Sequence, residues 1–374
     1  MLTSFHIENF RIFRRLILPR LGHVNLVVGR NNTGKTVLLE ALRLHAARGS
    51  TAVLKEILLD RDEFDRVPRI SKQPMPRTLR LESLFHRRRA EENGTAICLG
   101  PLDTPNSKLL IKPVRLSWRP AERPGSGDWQ LYTPDPAGSP PGVELAHVLG
   151  LAISYGGASE RLMPPESVPD FFIPIPTFIP EADIREEASA FVPAAGLSAG
   201  AISTWWDTVT LTDAEERVAE CLRIVAPVQR ISLVERPGVE GRRMVMVKLE
   251  GESDPVPLRS LGDGVRKMFS FALGLEGARE SRMLLIDEIE NGIHYSAHEN
   301  MWRFIIAAAQ RSGVQVVATT HSWDCVMGFQ SALASHPDLE ASAIRLYRGA
   351  QDVEAALLDR AEIAVATRDQ IDFR

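Results

Sequence analysis

Hydrophobic and polar positions define regular elements near the start of the chain. Residues 5–18 alternate between apolar and polar side chains, which predicts two strands. Val24–Val28 is a continuous apolar run that predicts a buried strand. We expect the three strands to form a β-meander. From about Lys35 the apolar residues recur at helical spacing, so a helix follows the third strand.

Residues 51–205 have a different pattern. Short strand-like segments alternate with turns rich in proline and glycine. Repeated prolines in 161–181 disfavour long helices and central strands. We therefore expect a loop-rich α+β insertion that completes a β-subdomain and contributes a lid or surface arm.

Regular patterns return in the last part of the chain. A helical stripe follows Thr212, and two buried strands are predicted at 283–286 and 314–320 with a helix between them. We expect 1–50 and 206–374 to form the two parts of one α/β domain, with 51–205 inserted between them.

Composition restricts the function only broadly. The chain has 374 residues, 44% of them hydrophobic, and a formal net charge of −4. This balance argues against a generic nucleic-acid coat but allows a local basic patch. Three scattered cysteines suit a reducing cytosol, and no run approaches the roughly 20 apolar residues of a membrane span. We expect a cytoplasmic protein without membrane segments.

The strand at 24–28 leads directly into a phosphate-binding motif. The run Gly29-Arg-Asn-Asn-Thr-Gly-Lys-Thr36 matches G-x-x-x-x-G-K-[ST] between a strand and a helix. Its glycines let successive backbone N–H groups point at phosphates, and the helix N-terminus adds its dipole. Lys35 would reach the β- and γ-phosphates and Thr36 would bind Mg²⁺. The candidate ATP-binding residues are Gly29, Asn31, Asn32, Thr33, Gly34, Lys35 and Thr36. The alternative is an incidental glycine-rich turn.

A second motif supplies carboxylates. The predicted strand at 283–286 ends in Asp287 and Glu288. Phosphoryl transfer needs one acid for the metal and another for the attacking water. We therefore predict that Asp287 holds Mg²⁺ and Glu288 is the catalytic base, against the alternative of two solvated acids at a strand end.

Two further motifs complete the set. His321 follows the predicted strand at 314–320, where it could hydrogen-bond a terminal phosphate; alone, it would more often be a capping group. The run 258–266 carries a serine and two glycines before a helix, a second phosphate-binding pattern, although it could be a simple helix start. One chain cannot bring both loops to one phosphate, so we expect a head-to-tail dimer or higher oligomer. The candidate residues of this loop are Ser260, Gly262, Asp263 and Gly264.

These motifs, in this order, resemble the ATP-binding-cassette superfamily, and specifically its SMC-like and OLD-like branch of AAA-family ATPases. The resemblance lies in IDEIENGIH (286–294), TTHSWDCV (319–326) and ENFRIF (8–13). It implies an α/β P-loop NTPase of ABC-ATPase type, with a mixed central sheet, an N-terminal antiparallel β-subdomain and the inserted region.

The same resemblance implies several functional properties. Arg11 would lie near the nucleotide. LESLFHRRR (81–89) occupies the place of the Q-loop but contains no glutamine. About fifty residues follow His321, too few for the TOPRIM nuclease domain of OLD nucleases, so we expect a stand-alone ATPase. Related ATPases work with a separate effector, often a TOPRIM-type protein and often in phage defence.

Other functions remain open at this level. An SMC-like DNA-repair ATPase would bind DNA through a basic surface, and Arg87–Arg89 is the candidate, with a solvated charge run as the alternative. A transporter subunit would have a short insertion and a different signature loop. An intrinsic nuclease would need an acidic cluster, and Asp60-Arg-Asp62 is a weak candidate for one.

Overall fold

The computed structural model describes residues 1–66, 77–90, 94–120, 127–132, 147–164, 189–235 and 243–372. Most of the predicted lid, from 165 onwards, lies outside these ranges. The chain forms two compact units. The first contains 1–3, 20–39 and 186–374, and the second contains 4–19 and 40–185. The boundaries between the two units therefore fall inside the predicted segments 1–50 and 51–205, not at the ends of these segments.

Strands dominate the second unit and the central layer of the first. In chain order, the strands of the described residues are β1 (Phe5–Phe10), β2 (Phe13–Leu18), β3 (Val24–Val28), β4 (Phe64–Arg66), β5 (Arg77–Leu79), β6 (Ile97–Gly100), β7 (Leu109–Pro120), β8 (Gly127–Leu131), β9 (His147–Tyr155), β10 (Arg161–Met163), β11 (Ala190–Val192), β12 (Val228–Glu235), β13 (Arg243–Leu249), β14 (Val256–Pro257), β15 (Met283–Ile286), β16 (Gln315–Thr320), β17 (Ala341–Arg348) and β18 (Val353–Leu358).

Helices lie mainly in the first unit. In chain order they are α1 (Lys35–Ala46), α2 (Thr51–Leu59), α3 (Ala199–Val209), α4 (Asp213–Arg223), α5 (Asp263–Ser281), α6 (His298–Ser312), α7 (Trp323–Ala334) and α8 (Arg360–Arg368). The boundary between the units passes within α1.

The first unit is built on a mixed sheet. Its strand order is β11-β15-β16-β3-β17-β18, and all neighbours are parallel except β17 and β18. All residues of β3 and β16 are buried, as expected of strands covered on both faces. The mixed α/β sheet expected from the sequence is thus confirmed.

Large side chains pack between the helices of this unit. Trp302 of α6 is fully buried, and its ring centroid lies 4.7 Å from that of Phe329 in α7. The indole N–H of Trp302 donates to the carbonyl oxygen of Cys325 at 3.2 Å, so its one polar atom is paired inside the core. A separate three-stranded sheet, β12-β13-β14, leads into the turn before α5.

The second unit contains an antiparallel sheet in the order β10-β9-β7-β6-β1-β2, with β8 paired to β7. The predicted pair β1–β2 is confirmed, but the predicted β-meander is wrong because β3 joins the other sheet. The burial pattern gives the reason. β2 alternates between buried and exposed residues, which suits a sheet with one covered face, whereas β3 is buried throughout.

Two chemical features concern the described residues as a whole. Cys98, Cys221 and Cys325 are free thiols, and the last two are buried. None of the described helices is both long enough and apolar enough to cross a membrane.

Candidate functional site

The register of the central sheet brings three predicted motifs to one edge. Val28 of β3 is paired with Thr320 of β16, and Ile286 of β15 is paired with Ala318 of the same strand. The three strands are parallel, so their carboxyl ends lie along the same edge. The loops that follow them carry the P-loop, the two acids and His321. Open α/β sheets bind ligands at this edge.

The backbone of the P-loop approaches a neighbouring strand closely. Gly29 has a φ of 153°, and a Cβ built there would lie 2.5 Å from the carbonyl oxygen of Leu346 and 2.8 Å from Thr33 Oγ1. A side chain at this position would clash with backbone, so the first glycine of the motif is required. Gly34, at a φ of 95°, turns the chain into α1.

Lys35 is held inside the loop. Its Nζ donates to the carbonyl oxygens of Gly29 at 2.7 Å and Arg30 at 3.2 Å, and the residue is 8% exposed. Burial lowers the pKa of Lys35, while the charges of nearby Asp287 and Glu288 oppose that change. The ammonium group therefore lies close to both predicted acids.

The other loop residues have smaller roles in this structure. Thr33 Oγ1 donates to the carbonyl oxygen of Arg30 at 2.8 Å and stabilises the turn. Asn32 adopts a φ of 64°, and its carbonyl oxygen accepts a 3.4 Å hydrogen bond from Arg348. Asn31 is exposed.

The two predicted Mg²⁺ ligands are adjacent. Thr36 Oγ1 donates to Asp287 Oδ2 at 3.0 Å, although 251 positions separate these residues in the chain. Hydroxyl and carboxylate oxygens are hard ligands that suit Mg²⁺. No group of three His, Cys, Asp or Glu residues in the described ranges could hold a metal ion, so phosphate and water oxygens would have to complete its coordination.

Glu288 lies at a strained corner directly after β15. Its φ is 46°, in the left-handed region that residues other than glycine rarely adopt. Thr319 of β16 holds this corner: its hydroxyl accepts from the backbone N–H of Glu288 at 2.8 Å, and its carbonyl oxygen accepts from that of Ile289 at 3.0 Å. The motif pattern did not single out Thr319, because the signal is its register opposite β15.

His321 lies beside a second carboxylate that the sequence analysis did not single out. Its ring Nδ1 is 2.9 Å from Glu290 Oε1, and its backbone N–H donates to the same oxygen at 2.8 Å. Glu290 lies two residues beyond Glu288. His321 therefore contacts the loop that follows the predicted catalytic base.

The Ser260 loop is a short 3-10 turn, Leu258–Leu261, followed by Gly262 and then α5. Gly262 has a φ of 91°, and both Ser260 and Asp263 are exposed. A Cβ on Gly264 would lie 2.8 Å from the carbonyl oxygen of Gly292, so α5 begins in close contact with the loop after β15. Within the described ranges, no hydrogen bond or ion pair joins this loop to the P-loop of the same chain.

Lys267 connects α5 to the acidic strand end. Its Nζ donates to the carbonyl oxygens of Pro193 and Ala194 at 2.9 Å and of Asp287 at 3.2 Å. Burial lowers the pKa of Lys267 to about 8. The ammonium group thus joins α5 to the segment after β11 and to the end of β15, at the carboxyl edge of the sheet.

Arg11 belongs to the second unit, where it is paired with two acids. Its Nε lies 2.8 Å from Glu40 Oε2 and its Nη1 lies 2.9 Å from Glu63 Oε2, with 6% of the side chain exposed. Burial raises the pKa of Glu40, and the charge of Arg11 opposes this rise. The guanidinium therefore stabilises buried acids in this structure, and its predicted contact with a nucleotide stays a prediction.

Comparison with known proteins shows partial similarities in sequence. A family model described as "AAA domain, putative AbiEii toxin, Type IV TA system" matches residues 170–326. An uncharacterized protein of Methanocaldococcus jannaschii is 44% identical over 64 residues, which are 16% of this chain and 29% of that protein. The match thus spans less than a third of that relative's length.

Solved structures cover nearly the whole chain. An Smc head bound to the C-winged helix domain of ScpA aligns with a TM-score of 0.51 at 12% identity, over 96% of this chain and 97% of that one. The chain has the fold of an ABC-type ATPase head. The Smc head domain of Pyrococcus furiosus with an extended coiled coil, bound to the C-terminal domain of ScpA, aligns with a TM-score of 0.49 at 10% identity over 99% of both chains.

Proposed function

We propose that this protein binds ATP with Mg²⁺ and hydrolyses it as a head-to-tail dimer. The observation that carries the proposal is the 3.0 Å hydrogen bond between Thr36 Oγ1 and Asp287 Oδ2. It joins the first turn of α1 to the end of β15, where a metal bridging two phosphates would need its protein ligands. The buried ammonium group of Lys35 adds the positive charge that phosphates require.

The side chains have distinct roles in this proposal. Mg²⁺ would neutralise charge on the phosphate oxygens when bound. Lys35 exchanges its carbonyl partners in the loop for phosphate oxygens. Glu288 accepts a proton from the attacking water, and His321 hydrogen-bonds the terminal phosphate. Asp287 would hold the metal through its carboxylate oxygens.

The exposure of the Ser260 loop supports the proposed dimer. The free backbone N–H groups at the start of α5 attract anions, and Ser260 next to them is exposed. This loop makes no polar contact with its own P-loop within the described ranges. The P-loop of one subunit and the Ser260 loop of another would together surround one nucleotide. In a two-fold dimer this contact is made twice, because the axis pairs each P-loop with the Ser260 loop of the other subunit.

Glu288→Gln tests the dimer because it keeps the shape of the side chain but removes the base. We expect this variant to accumulate as an ATP-bound dimer, measured by size exclusion with light scattering in ATP and Mg²⁺. Glu288→Gln combined with Lys35→Ala is the control and should remain monomeric. A Glu288→Gln variant that binds ATP and stays monomeric contradicts the dimer.

We further propose that the dimer acts as an ATP-gated switch on a separate effector in phage defence, with a TOPRIM-type nuclease as one candidate class. The partial match to an AbiEii-type AAA domain supports this direction. Cells expressing the chain together with its genomic neighbours should form fewer plaques than cells carrying Lys35→Ala. Equal plaque numbers would remove the defence role and leave the ATPase proposal intact.

A second candidate is a DNA-binding ATPase, supported by exposed Arg87, Arg88 and Arg89 in the second unit. Arg87 and Arg88 both have positive φ, of 57° and 58°, in a tight 3-10 turn. DNA binding through these residues should weaken with salt and fall when all three become glutamine, measured by fluorescence anisotropy. Binding unchanged by this substitution would exclude the arginine surface.

A further inference from the structure

Glu290 is a buried carboxylate whose side-chain hydrogen bonds, within the described ranges, all come from one residue. It is 8% exposed, and Oε1 accepts hydrogen bonds from the backbone N–H and the ring of His321. Its other oxygen, Oε2, is buried and has no hydrogen-bond partner within the described ranges. A carboxylate buried at this cost is retained where its charge or its acceptor atoms are needed.

The contact defines the tautomer of the histidine. An ionised carboxylate can only accept hydrogen bonds, so the ring nitrogen 2.9 Å from it must carry the hydrogen. That nitrogen is Nδ1, and Nε2 is therefore the ring nitrogen turned away from Glu290. A carboxylate in this arrangement fixes both the tautomer and the orientation of an imidazole.

Orientation matters because the ring is not confined by packing. Half of the His321 side chain is exposed, so the surrounding apolar side chains do not fully restrict its rotamers. The backbone N–H of His321 bonds to the same Glu290 oxygen, which fixes the distance between the loop after β15 and the end of β16. Two bonds to one oxygen therefore hold both the strand end and the ring.

We propose that Glu290 is the positioning residue of His321: it accepts from Nδ1–H and so turns Nε2 towards the terminal phosphate, to which Nε2–H donates when both ring nitrogens carry hydrogen. This inference rests on the proposed ATPase function. In this scheme Glu290 touches neither the nucleotide nor the metal and acts through the histidine, while its charge also opposes the lowering of the pKa of Lys35.

Two substitutions separate the reach of the side chain from its charge. Glu290→Gln keeps an oxygen that accepts from Nδ1–H but removes the charge. Glu290→Asp keeps the charge but withdraws the carboxylate by about 1.5 Å, one carbon–carbon bond. Glu290→Leu removes both and serves as a second disrupting variant if the aspartate variant folds poorly.

The tautomer is measurable by NMR in the nucleotide-free protein labelled with ¹⁵N-histidine. The chain has nine histidines, and the resonances lost in His321→Gln assign the ring. We expect the Nδ1–H pattern in the wild type and in Glu290→Gln, and a shift towards the Nε2–H form in Glu290→Asp and Glu290→Leu. An Nε2–H pattern in the wild type, or an unchanged pattern in both disrupting variants, overturns the proposal.

Kinetics give the second readout. Loss of a residue that orients a metal-binding side chain typically lowers activity about 10- to 100-fold. We expect the same factor for the kcat of Glu290→Asp, because Glu290 orients His321 in the same way. The KM for ATP should stay within about two-fold because ground-state binding is unchanged. The double variant Glu290→Asp/His321→Gln should be no slower than His321→Gln alone, since both changes remove one interaction. Multiplicative losses would contradict the proposal.

The two proposals fail in different ways. A wild-type protein without ATPase activity contradicts the proposed function, while the NMR experiment still decides the tautomer. If the wild type is active but substitutions of Glu290 leave the NMR pattern of His321 unchanged, only this inference is contradicted.

Discussion

Thr319 Oγ1 donates to Asp287 Oδ1 at 2.6 Å and accepts from the backbone N–H of Glu288 at 2.8 Å. A single hydroxyl thus contacts both residues of the predicted acidic pair. The carboxylate can only accept, so the hydroxyl hydrogen goes to Asp287 and an oxygen lone pair accepts from Glu288. Thr319 is fully buried, so its rotamer has little freedom.

Thr319→Val should lower ATPase activity. The substitution keeps the shape but removes the partner of buried Asp287 Oδ1 and of the part-buried N–H of Glu288, which costs about 1–3 kcal/mol. We expect a kcat reduced about 10- to 100-fold, as for other residues that orient metal ligands. Steady-state kinetics of Thr319→Val and Thr319→Ser measure the effect, and the serine variant should retain most activity because it keeps the hydroxyl. Equal losses in both variants would assign the effect to packing.

Gly264→Ala should destabilise the start of α5. The new methyl would lie 2.8 Å from the carbonyl oxygen of Gly292, which is backbone and cannot rotate away. Overpacking of this kind costs about 1–3 kcal/mol. Gly200→Ala is the matched control: it lies in α3, and the nearest atom to its new Cβ would be 3.9 Å away. Urea unfolding of Gly200→Ala should show unchanged or increased stability, by up to about 1 kcal/mol. Similar stabilities of the two variants would refute the predicted clash.

His45 should make stability depend on pH. It is 8% exposed, and burial lowers its pKa below the ordinary value of 6.5. The unfolded chain therefore takes up a proton first as pH falls, so this contribution is complete above 6.5 and is lost as pH falls towards the lowered pKa. Unfolding free energies at pH 7 and pH 5 should differ less in His45→Gln than in the wild type. An equal difference in the two proteins would contradict this prediction.

Lys35→Ala should abolish the stabilisation of the protein by ATP. A ligand at 100 times its Kd stabilises the folded state by about 2.7 kcal/mol, which is visible as a higher melting temperature. We expect this shift in ATP and Mg²⁺ for the wild type and for Lys112→Ala, a control in the second unit whose ammonium pairs with Glu160 at 2.8 Å. A shift that survives in Lys35→Ala would place the nucleotide elsewhere.

Local sequence signals predicted much of the central sheet. The apolar run of β3 followed by Gly29, and the apolar run of β15 followed by two acids, each define a strand and the loop at its carboxyl end. These signals work because a strand and the loop after it are joined covalently. Helix starts are also local: the hydroxyl of Thr212 accepts from the backbone N–H of Ala214, and the carboxylate of Glu215 accepts from the backbone N–H of Leu211.

The partners of these loops depended on tertiary structure. Thr319 meets Asp287, and Glu290 meets His321, only because β16 lies beside β15 in one register. The assignment of β1 and β2 to a different sheet from β3, and the pairing of Arg11 with Glu40 and Glu63, have the same origin. The sequence by itself determined which residues are proposed to carry the chemistry, because motif and strand are continuous in the chain. The tertiary structure alone decided which side chains orient them, because hydrogen bonds between strands depend on register, which no local pattern encodes.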